Sequence, residues 1–274
     1  SYAGSTFKPI KKIKLTGWKN YSAFIFCFVP LFIGFLLPIF EISNWAINYT
    51  SESFFSNNFL SSFFNTIFLG ILAGIICTSF AFLFNFLKRF ESGAFLKTIS
   101  FVLSLGYAIP GLVLAVGIIQ FFSLLDNNFL RPFLDFVLTG SILGLLLAYV
   151  IKTYALANNS VESGFQRIDR TLDDVSLSLG TSKSKIFFKI HLPLMKTGIL
   201  TSLILVISEI IKELPATLIL RPFNFDTLAV TTYIYAAEER MFEAATPAMM
   251  IVMIGLIPIF FLSKIIRESR PGSK

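Results

Sequence analysis

The chain has 274 residues, a formal net charge of +7, 55% apolar and 14% charged residues, and a mean hydropathy of +0.75. Soluble domains carry roughly 25% charged residues, so the composition excludes an ordinary soluble protein and predicts one that spans a membrane. A spanning helix needs about 20 apolar residues, and the length is therefore best divided into membrane crossings.

Six segments are long and apolar enough to cross a bilayer. They cover about 21–48, 59–87, 95–124, 133–156, 198–220 and 245–265. Backbone groups in hydrocarbon must be satisfied within the spanning structure, and the sequence lacks the short alternating strands of a barrel. We therefore expect an all-α bundle of six transmembrane helices, with a basic lead-in at 1–20, the spanning domain at 21–268 and a tail at 269–274.

Basic residues are concentrated in alternate connections. The rich connections hold Lys8, Lys11, Lys12, Lys14 and Lys19, then Lys88, Arg89 and Lys97, then Lys152, Arg167, Arg170, Lys183, Lys185, Lys189 and Lys196, and finally Lys264, Arg267, Arg270 and Lys274. The poor connections hold Arg131, Arg221 and Arg240 beside acidic residues. Because cytoplasmic loops carry the excess of Lys and Arg, we predict that both termini face the cytoplasm. Topology and anionic lipid then explain the net charge, without nucleic acid.

Small and helix-breaking residues mark the spans. Gly70 with Gly74, and Gly140 with Gly144, predict close helix packing. Prolines at Pro110 and Pro215 predict breaks where helices kink or line a cavity. The two cysteines, Cys27 and Cys77, lie in apolar runs without metal-ligand spacing and are interpreted as small buried residues.

The fifth span carries the ionisable residues Glu209, Lys212 and Glu213, whose spacing allows them to pair with one another. One interpretation is a translocation pathway, because charged residues inside spans usually face an interior or a cavity. The other is a self-neutralised cluster that extends to the outer surface. For a cation, we expect a weakly acidic path that does not hold the ion tightly.

A half-polar stretch interrupts the apolar runs in the loop at about 157–197. At helical spacing, Ile168, Leu172, Val175 and Leu179 form an apolar stripe, from which Arg170, Asp173 and Asp174 fall away. Gly180 is predicted to end this helix. Thr181 or Ser182 is predicted to cap a second helix, which Pro193 stops. The apolar side of this second helix consists of Ile186, Phe187 and Ile190. Such a hairpin could rest on lipid head groups or dock a partner protein.

One motif in this stretch resembles the cytoplasmic loop of binding-protein-dependent ABC importer permeases. It consists of Gly180, nine intervening residues, Ile190, one further residue, and then Leu192 and Pro193. That family has Glu-Ala-Ala where this chain has Asp174, Val175 and Ser176, so the acid is kept and the small residues differ. The resemblance implies that these residues form a coupling helix, which an ATP-hydrolysing subunit dimer grips and moves.

The segments "LGYAIPGLVLAVGI" and "KELPATLILRPFNFDTLAVTTY" resemble the carboxyl half of ferric-iron uptake permeases. The resemblance implies a bacterial inner-membrane permease that receives ferric iron from a periplasmic binding protein and works with a second six-span half. It implies no catalytic residue, metal site or cofactor in this chain, because the ATPase subunit binds ATP. Related permeases for thiamine, polyamines, sulfate and phosphonates share the loop, so those substrates stay open.

The resemblance and the charged cluster together give a candidate translocation path. Its residues are Tyr107, Pro110, Glu209, Lys212, Glu213 and Pro215. The single histidine, His191, lies in the coupling segment and is interpreted as an interfacial contact rather than a ligand. A secondary transporter is disfavoured by the long docking loop, and an intramembrane enzyme by the absence of a catalytic constellation from the spans.

Overall fold

The computed structural model describes residues 14–49, 57–91, 93–130 and 137–268. Within these ranges the chain forms helices and no strand, which confirms the predicted all-α fold. The α-helices are α1 (Trp18–Leu31), α2 (Leu37–Tyr49), α3 (Asn57–Phe90), α4 (Ala94–Leu105), α5 (Gly111–Leu125), α6 (Ile142–Gln166), α7 (Thr171–Ser178), α8 (Lys183–Ile186), α9 (Leu192–Leu194), α10 (Lys196–Ile211), α11 (Pro215–Leu220), α12 (Leu228–Ala237) and α13 (Met241–Glu268). Most of the basic lead-in, Glu52, Arg131 and the tail lie outside the described residues.

Five of the described helical segments are long and apolar enough to cross a membrane. They are Trp18–Asn48, in which a π-helical turn joins α1 to α2, and Asn58–Phe90, Gly111–Asn128, Ile142–Gln166 and Met241–Phe261. A sixth crossing results when α10 is counted with the bent segment Lys183–Leu194, which meets it at 72°. The predicted number of spans is thus reached only with this bent pair.

The centre of the bundle is the contact between α3, α6 and α10. Leu69, Ala73, Cys77 and Ala81 lie on successive turns of α3 and are fully buried. Gly74 allows this packing, because an added Cβ would lie 3.2 Å from the Ile207 side chain. Gly70 and Gly144 also contact neighbouring helices, whereas Gly140 has open space around it and a φ of +77°, so its predicted packing role is wrong.

The third and fifth predicted spans are both broken. The third consists of α4, a 3₁₀ turn at Gly106–Ala108, and α5, which begins directly after Pro110. The fifth ends at Ile211, and a new helix, α11, begins at Pro215. Both predicted breaks are confirmed, and each follows from a proline that starts a helix and cannot continue one.

The fourth span begins at Ile142 and continues to Gln166, well past its predicted end at residue 156. The sequence there is polar, but the buried Asn158 is satisfied inside the bundle, where Asn85 donates its side-chain amide to it at 2.8 Å. Polarity therefore did not end the helix. The short helix α12, which lies between the fifth and sixth predicted spans, was also missed.

The first span packs on the bundle only through α2, where the rings of Trp45 and Phe242 on α13 are 5.7 Å apart, whereas α1 has no buried residue. Cys27 is exposed there, so its predicted burial is wrong, whereas Cys77 is buried as predicted. Large apolar side chains such as Trp18, Phe24 and Phe26 are exposed on this helix. Such a surface suits contact with lipid or with another spanning subunit.

Candidate functional site

The half-polar stretch folds into a helical hairpin made of α7 and α8. Gly180 joins them with a φ of +75°, a conformation that strains residues with a Cβ. The N–H of Gly180 donates to the carbonyl of Leu177 at 2.9 Å, and that of Thr181 donates to Ser176 at 3.0 Å. These two bonds are a Schellman motif, which confirms the predicted helix end at Gly180.

The second arm of the hairpin follows the prediction in part. Ser182 is the N-cap of α8, and Ile186 is buried with Phe187 and Ile190 partly buried beside it, as expected. Pro193 does not stop the helix, because it occupies the first turn of α9, where a missing N–H is tolerated. The chain bends at Met195 instead.

The apolar stripe of α7 is turned away from the bundle. Leu172, Val175 and Leu179 are 45%, 58% and 79% exposed. Among the other predicted coupling residues, Asp174, Gly180, Leu192 and Pro193 are exposed, and Ser176 and Ile190 are partly exposed. An exposed apolar face on an otherwise ordered helix is typical of a surface that a partner covers.

Asp173 and His191 do not lie where the sequence analysis placed them. Asp173 is buried and points toward the bundle, where its two carboxylate oxygens contact Arg89 and His191. His191 is fully buried, so its interpretation as an interfacial contact is wrong. Helical periodicity places Asp173 on a polar face of α7, but it does not show that this face packs against Arg89 of α3.

Asp169 precedes α7 and stays ionised near its N-terminus. Hydrogen bonds from Thr171, whose backbone N–H donates at 3.0 Å, hold the pKa of Asp169 below its usual range. A negative charge here complements the positive end of the helix dipole.

A second candidate site is the ion pair of Lys152 on α6 with Glu213 at the break between α10 and α11. The pair is largely shielded, since the Lys152 and Glu213 side chains are 19% and 7% exposed. The other oxygen of Glu213 accepts the backbone N–H of Ala216 at 3.3 Å and so satisfies the first turn of α11. Glu213 therefore does not pair with Lys212, contrary to one predicted arrangement.

Lys152 starts from a level near the middle of the apolar run at 67–87 of α3. Thr153, next to Lys152, has its hydroxyl 3.4 Å from the Cys77 sulfur, and Cys77 is near the centre of that run. The prediction that Lys152 belongs to the basic connection is wrong, because it lies inside a spanning helix. An isolated lysine within an apolar run was the signal that could have revealed it.

The two predicted helix breaks meet at this pair. A Cβ added to Gly111 would lie 2.8 Å from a Glu213 carboxylate oxygen and 3.2 Å from the Pro215 side chain. Of the predicted path residues, Pro110, Glu213 and Pro215 are thus brought together. The turn that carries Tyr107 is also close to this level, since Gly106 packs on the backbone of Ile151.

The remaining path residues form a separate, more exposed pair. Lys212 contacts Glu209 at 3.0 Å, with the side chains 61% and 27% exposed. The predicted pairing of these two residues is confirmed. Glu213 pairs with Lys152 and Glu209 pairs with Lys212, so the charges of these four residues cancel. The expectation of an acidic path is therefore not met by them.

Comparison with known sequences gives one family and several relatives. Residues 70–269 match the family model described as "binding-protein-dependent transport system inner membrane component". The Fe(3+)-transport system permease protein FbpB 2 of Haemophilus influenzae is 29% identical over 159 residues, which are 58% of this chain and 29% of that protein. The molybdate/tungstate transport system permease protein WtpB of Methanocaldococcus jannaschii is 28% identical over 194 residues, or 69% and 74% of the two chains.

Comparison with solved structures supports the fold. A bacterial alginate ABC transporter, crystallised with an alginate pentasaccharide-bound periplasmic protein, contains a chain that matches with a TM-score of 0.72 and 16% identity, over 94% of this chain and 96% of that one. A chain of the MetNI methionine ABC transporter in an inward-facing conformation matches with a TM-score of 0.56 and 12% identity, over 75% and 95%.

Proposed function

This chain belongs to the family of binding-protein-dependent transport system inner membrane components, and we propose that it is the membrane-spanning permease part of an ATP-driven importer. It would pass a small solute from a periplasmic binding protein through the inner membrane to the cytoplasm. ATP would be bound and hydrolysed by a separate ATPase dimer, and a second six-span half would complete the pore.

The observation that carries this proposal is the exposed apolar face of α7, formed by Leu172, Val175 and Leu179. This face belongs to the hairpin whose Gly180 to Pro193 spacing resembles the coupling loop of the family. Docking in a groove of the ATPase subunit would cover it. The hairpin would then face the cytoplasm, together with both termini, in agreement with the distribution of Lys and Arg.

We propose that the path passes the two helix breaks. Tyr107, Pro110 and Pro215 are exposed on the surface of this half, and a second half could enclose them. Glu209 and Lys212 would lie on the same route, with Glu213 held behind the surface by Lys152. Because their charges cancel, these four residues form no strong ion site, which suits a solute that has to leave quickly.

Ferric iron is the proposed substrate. Support comes from the resemblance of the segments around Pro110 and Pro215, and from the ferric transport permeases among the relatives. The competing substrates are molybdate or tungstate and 2-aminoethylphosphonate, because permeases described for these solutes are also among the relatives. The putative 2-aminoethylphosphonate permease of Salmonella typhimurium is 26% identical over 174 residues.

Reconstituted transport tests both parts of this proposal. The permease would be placed in proteoliposomes with its co-purified ATPase and binding protein, and uptake of labelled ferric iron, molybdate and 2-aminoethylphosphonate would be measured with and without internal ATP. We expect ATP-dependent uptake of ferric iron alone. ATP-dependent uptake of another solute would reject iron, and uptake that needs only an ion gradient would reject the ATP-driven importer.

A further inference from the structure

The hairpin helix α7 is attached to the bundle at a single buried residue. Asp173 is the buried residue of α7, and its neighbours on the helix are exposed or only partly covered. Besides the backbone at the two ends of α7 and its contact with α8, Asp173 is therefore the route by which a force on the exposed face of α7 reaches the spans.

Arg89, at the end of α3, holds Asp173 from one side. Its Nε donates to an Asp173 carboxylate oxygen at 2.5 Å. The remaining donors reach the carbonyls of Phe165 and Ile168, both at 3.0 Å, and of Asp169 at 3.1 Å. The Phe165 carbonyl is in the last turn of α6, where a helix leaves acceptors unsatisfied, and Ile168 and Asp169 lie in the segment that leads from α6 to α7. One guanidinium thus joins α3, α6 and α7.

His191 holds Asp173 from the other side. Its Nε2 lies 2.6 Å from the second carboxylate oxygen, and its ring lies between Phe86 and Phe165, with centroid distances of 5.4 and 5.3 Å. His191 leads into α9 and α10, so this contact joins α7 to a third helix of the central bundle. The aromatic rings exclude water from the imidazole, which is fully buried.

We propose that Arg89, Asp173 and His191 form a coupling latch, which makes the hairpin move with α3, α6 and α10 as one body. The latch rests on the proposed function, because it assigns these residues a role in passing ATPase motion to the pore. They are positioning residues, since they act through the hairpin and touch neither ATP nor solute. Charge-assisted hydrogen bonds suit this role because they are short and directional. Apolar contacts allow one helix to slide over another, whereas these bonds hold the helices in one arrangement.

The decisive experiment compares Arg89→Gln and Asp173→Asn with Arg167→Gln, which removes an exposed charge at the same end of the bundle. Less of each latch variant should assemble, because a buried charge loses its partner, so every rate is taken per assembled complex. In these reconstituted complexes we expect the two latch variants to keep the ATPase bound and hydrolysing at its basal rate. Import per ATP hydrolysed should fall by about tenfold, and the double variant should be no worse than either single one, because one unit is lost. Arg167→Gln should match the unaltered protein. Import per ATP that is unchanged in the latch variants, or additive losses in the double variant, would overturn the latch.

Two further measurements keep the test independent of folding and of the proposed function. His191→Phe keeps the aromatic packing and removes the bond to Asp173, whereas His191→Gln keeps a donor, so we expect loss of coupling in the first and partial recovery in the second. Hydrogen exchange needs no transport, and α7 amides should exchange faster in Arg89→Gln than in Arg167→Gln. Equal exchange would reject the latch even if import fails for another reason. An unaltered complex without ATP-dependent import would reject the proposed function but leave the exchange result valid.

Discussion

At the scale of single residues, charge inside an apolar helix is the most informative feature of this chain. Glu209, Lys212 and Glu213 stand out in the sequence as charges in a span, whereas the charge pattern groups Lys152 with the basic residues of the connection that follows. The structure pairs Lys152 with Glu213 across two helices. An unpaired charge costs up to about 2.5–3.5 kcal/mol at the centre of a spanning helix, so each residue explains why the other is tolerated.

Glu213→Gln should lower the amount of assembled permease, because it leaves Lys152 buried without a counter-charge; the loss of one partner of a buried pair costs about 3–5 kcal/mol. The variant Lys152→Gln should have the same effect. The double variant should recover most of the assembled protein, since no buried charge remains. Quantitative blotting of the purified complex measures these amounts.

The exposed pair supplies the control for this prediction. Glu209→Gln should leave assembly unchanged, because surface pairs contribute about 0–1 kcal/mol. Uptake per assembled complex then tests whether Glu213 belongs to the path. If it does, the double variant of Lys152 and Glu213 should assemble well but take up less solute. Uptake equal to that of the unaltered protein would assign the pair of Lys152 and Glu213 a purely structural role.

Gly180→Val should weaken transport and ATPase association together, because the left-handed conformation is unfavourable for a β-branched residue by at least about 1–2 kcal/mol. Space is not the cause, since nothing lies within 4 Å of an added Cβ. Gly180→Asn should retain more activity, because asparagine tolerates this conformation. Co-purification of the ATPase and uptake measure both effects. Normal coupling in Gly180→Val would show that the turn geometry does not matter.

At the scale of secondary structure, sequence patterns predicted where helices break but not what the breaks contact. The Pro110 and Pro215 signals are local, and both were correct. Their approach to each other depends on Gly111 and on the fold of α5 against α11, which no periodicity reveals. The hairpin shows the same limit: Gly180 fixed its turn, whereas the burial of Asp173 required a distant arginine.

Gly111→Ala should destabilise the junction of the two breaks, because its Cβ would lie 2.8 Å from Glu213 and 3.2 Å from Pro215. Gly117→Ala is the matched control in the same helix, with nothing within 4 Å of the added carbon. It should be neutral or stabilising by up to about 1 kcal/mol, since alanine favours a helix. Thermal unfolding in detergent compares the two variants. Equal melting temperatures would mean that the junction has room to relax.

At the scale of the whole molecule, length and hydropathy predicted a six-span bundle, and charge predicted its orientation. The structure reaches six crossings only when α10 is counted together with the bent segment before it, because α10 is short and its continuation breaks at Lys212. Broken helices at membrane depth are tolerated where they are buried in protein or line a water-filled cavity. Orientation follows from sequence statistics rather than from packing, so it requires a direct measurement.

Cysteine labelling in intact cells supplies that measurement. In a Cys27→Ala background, where the remaining Cys77 is buried, Asn127→Cys should react with a membrane-impermeant thiol reagent added outside. Ser182→Cys should stay unlabelled until the membrane is opened, because the hairpin is predicted to face the cytoplasm. Both positions are exposed in the fold, so a lack of labelling reports on the side of the membrane rather than on burial. Labelling of Ser182→Cys from outside would invert the topology and would place the hairpin where no cytoplasmic ATPase could reach it.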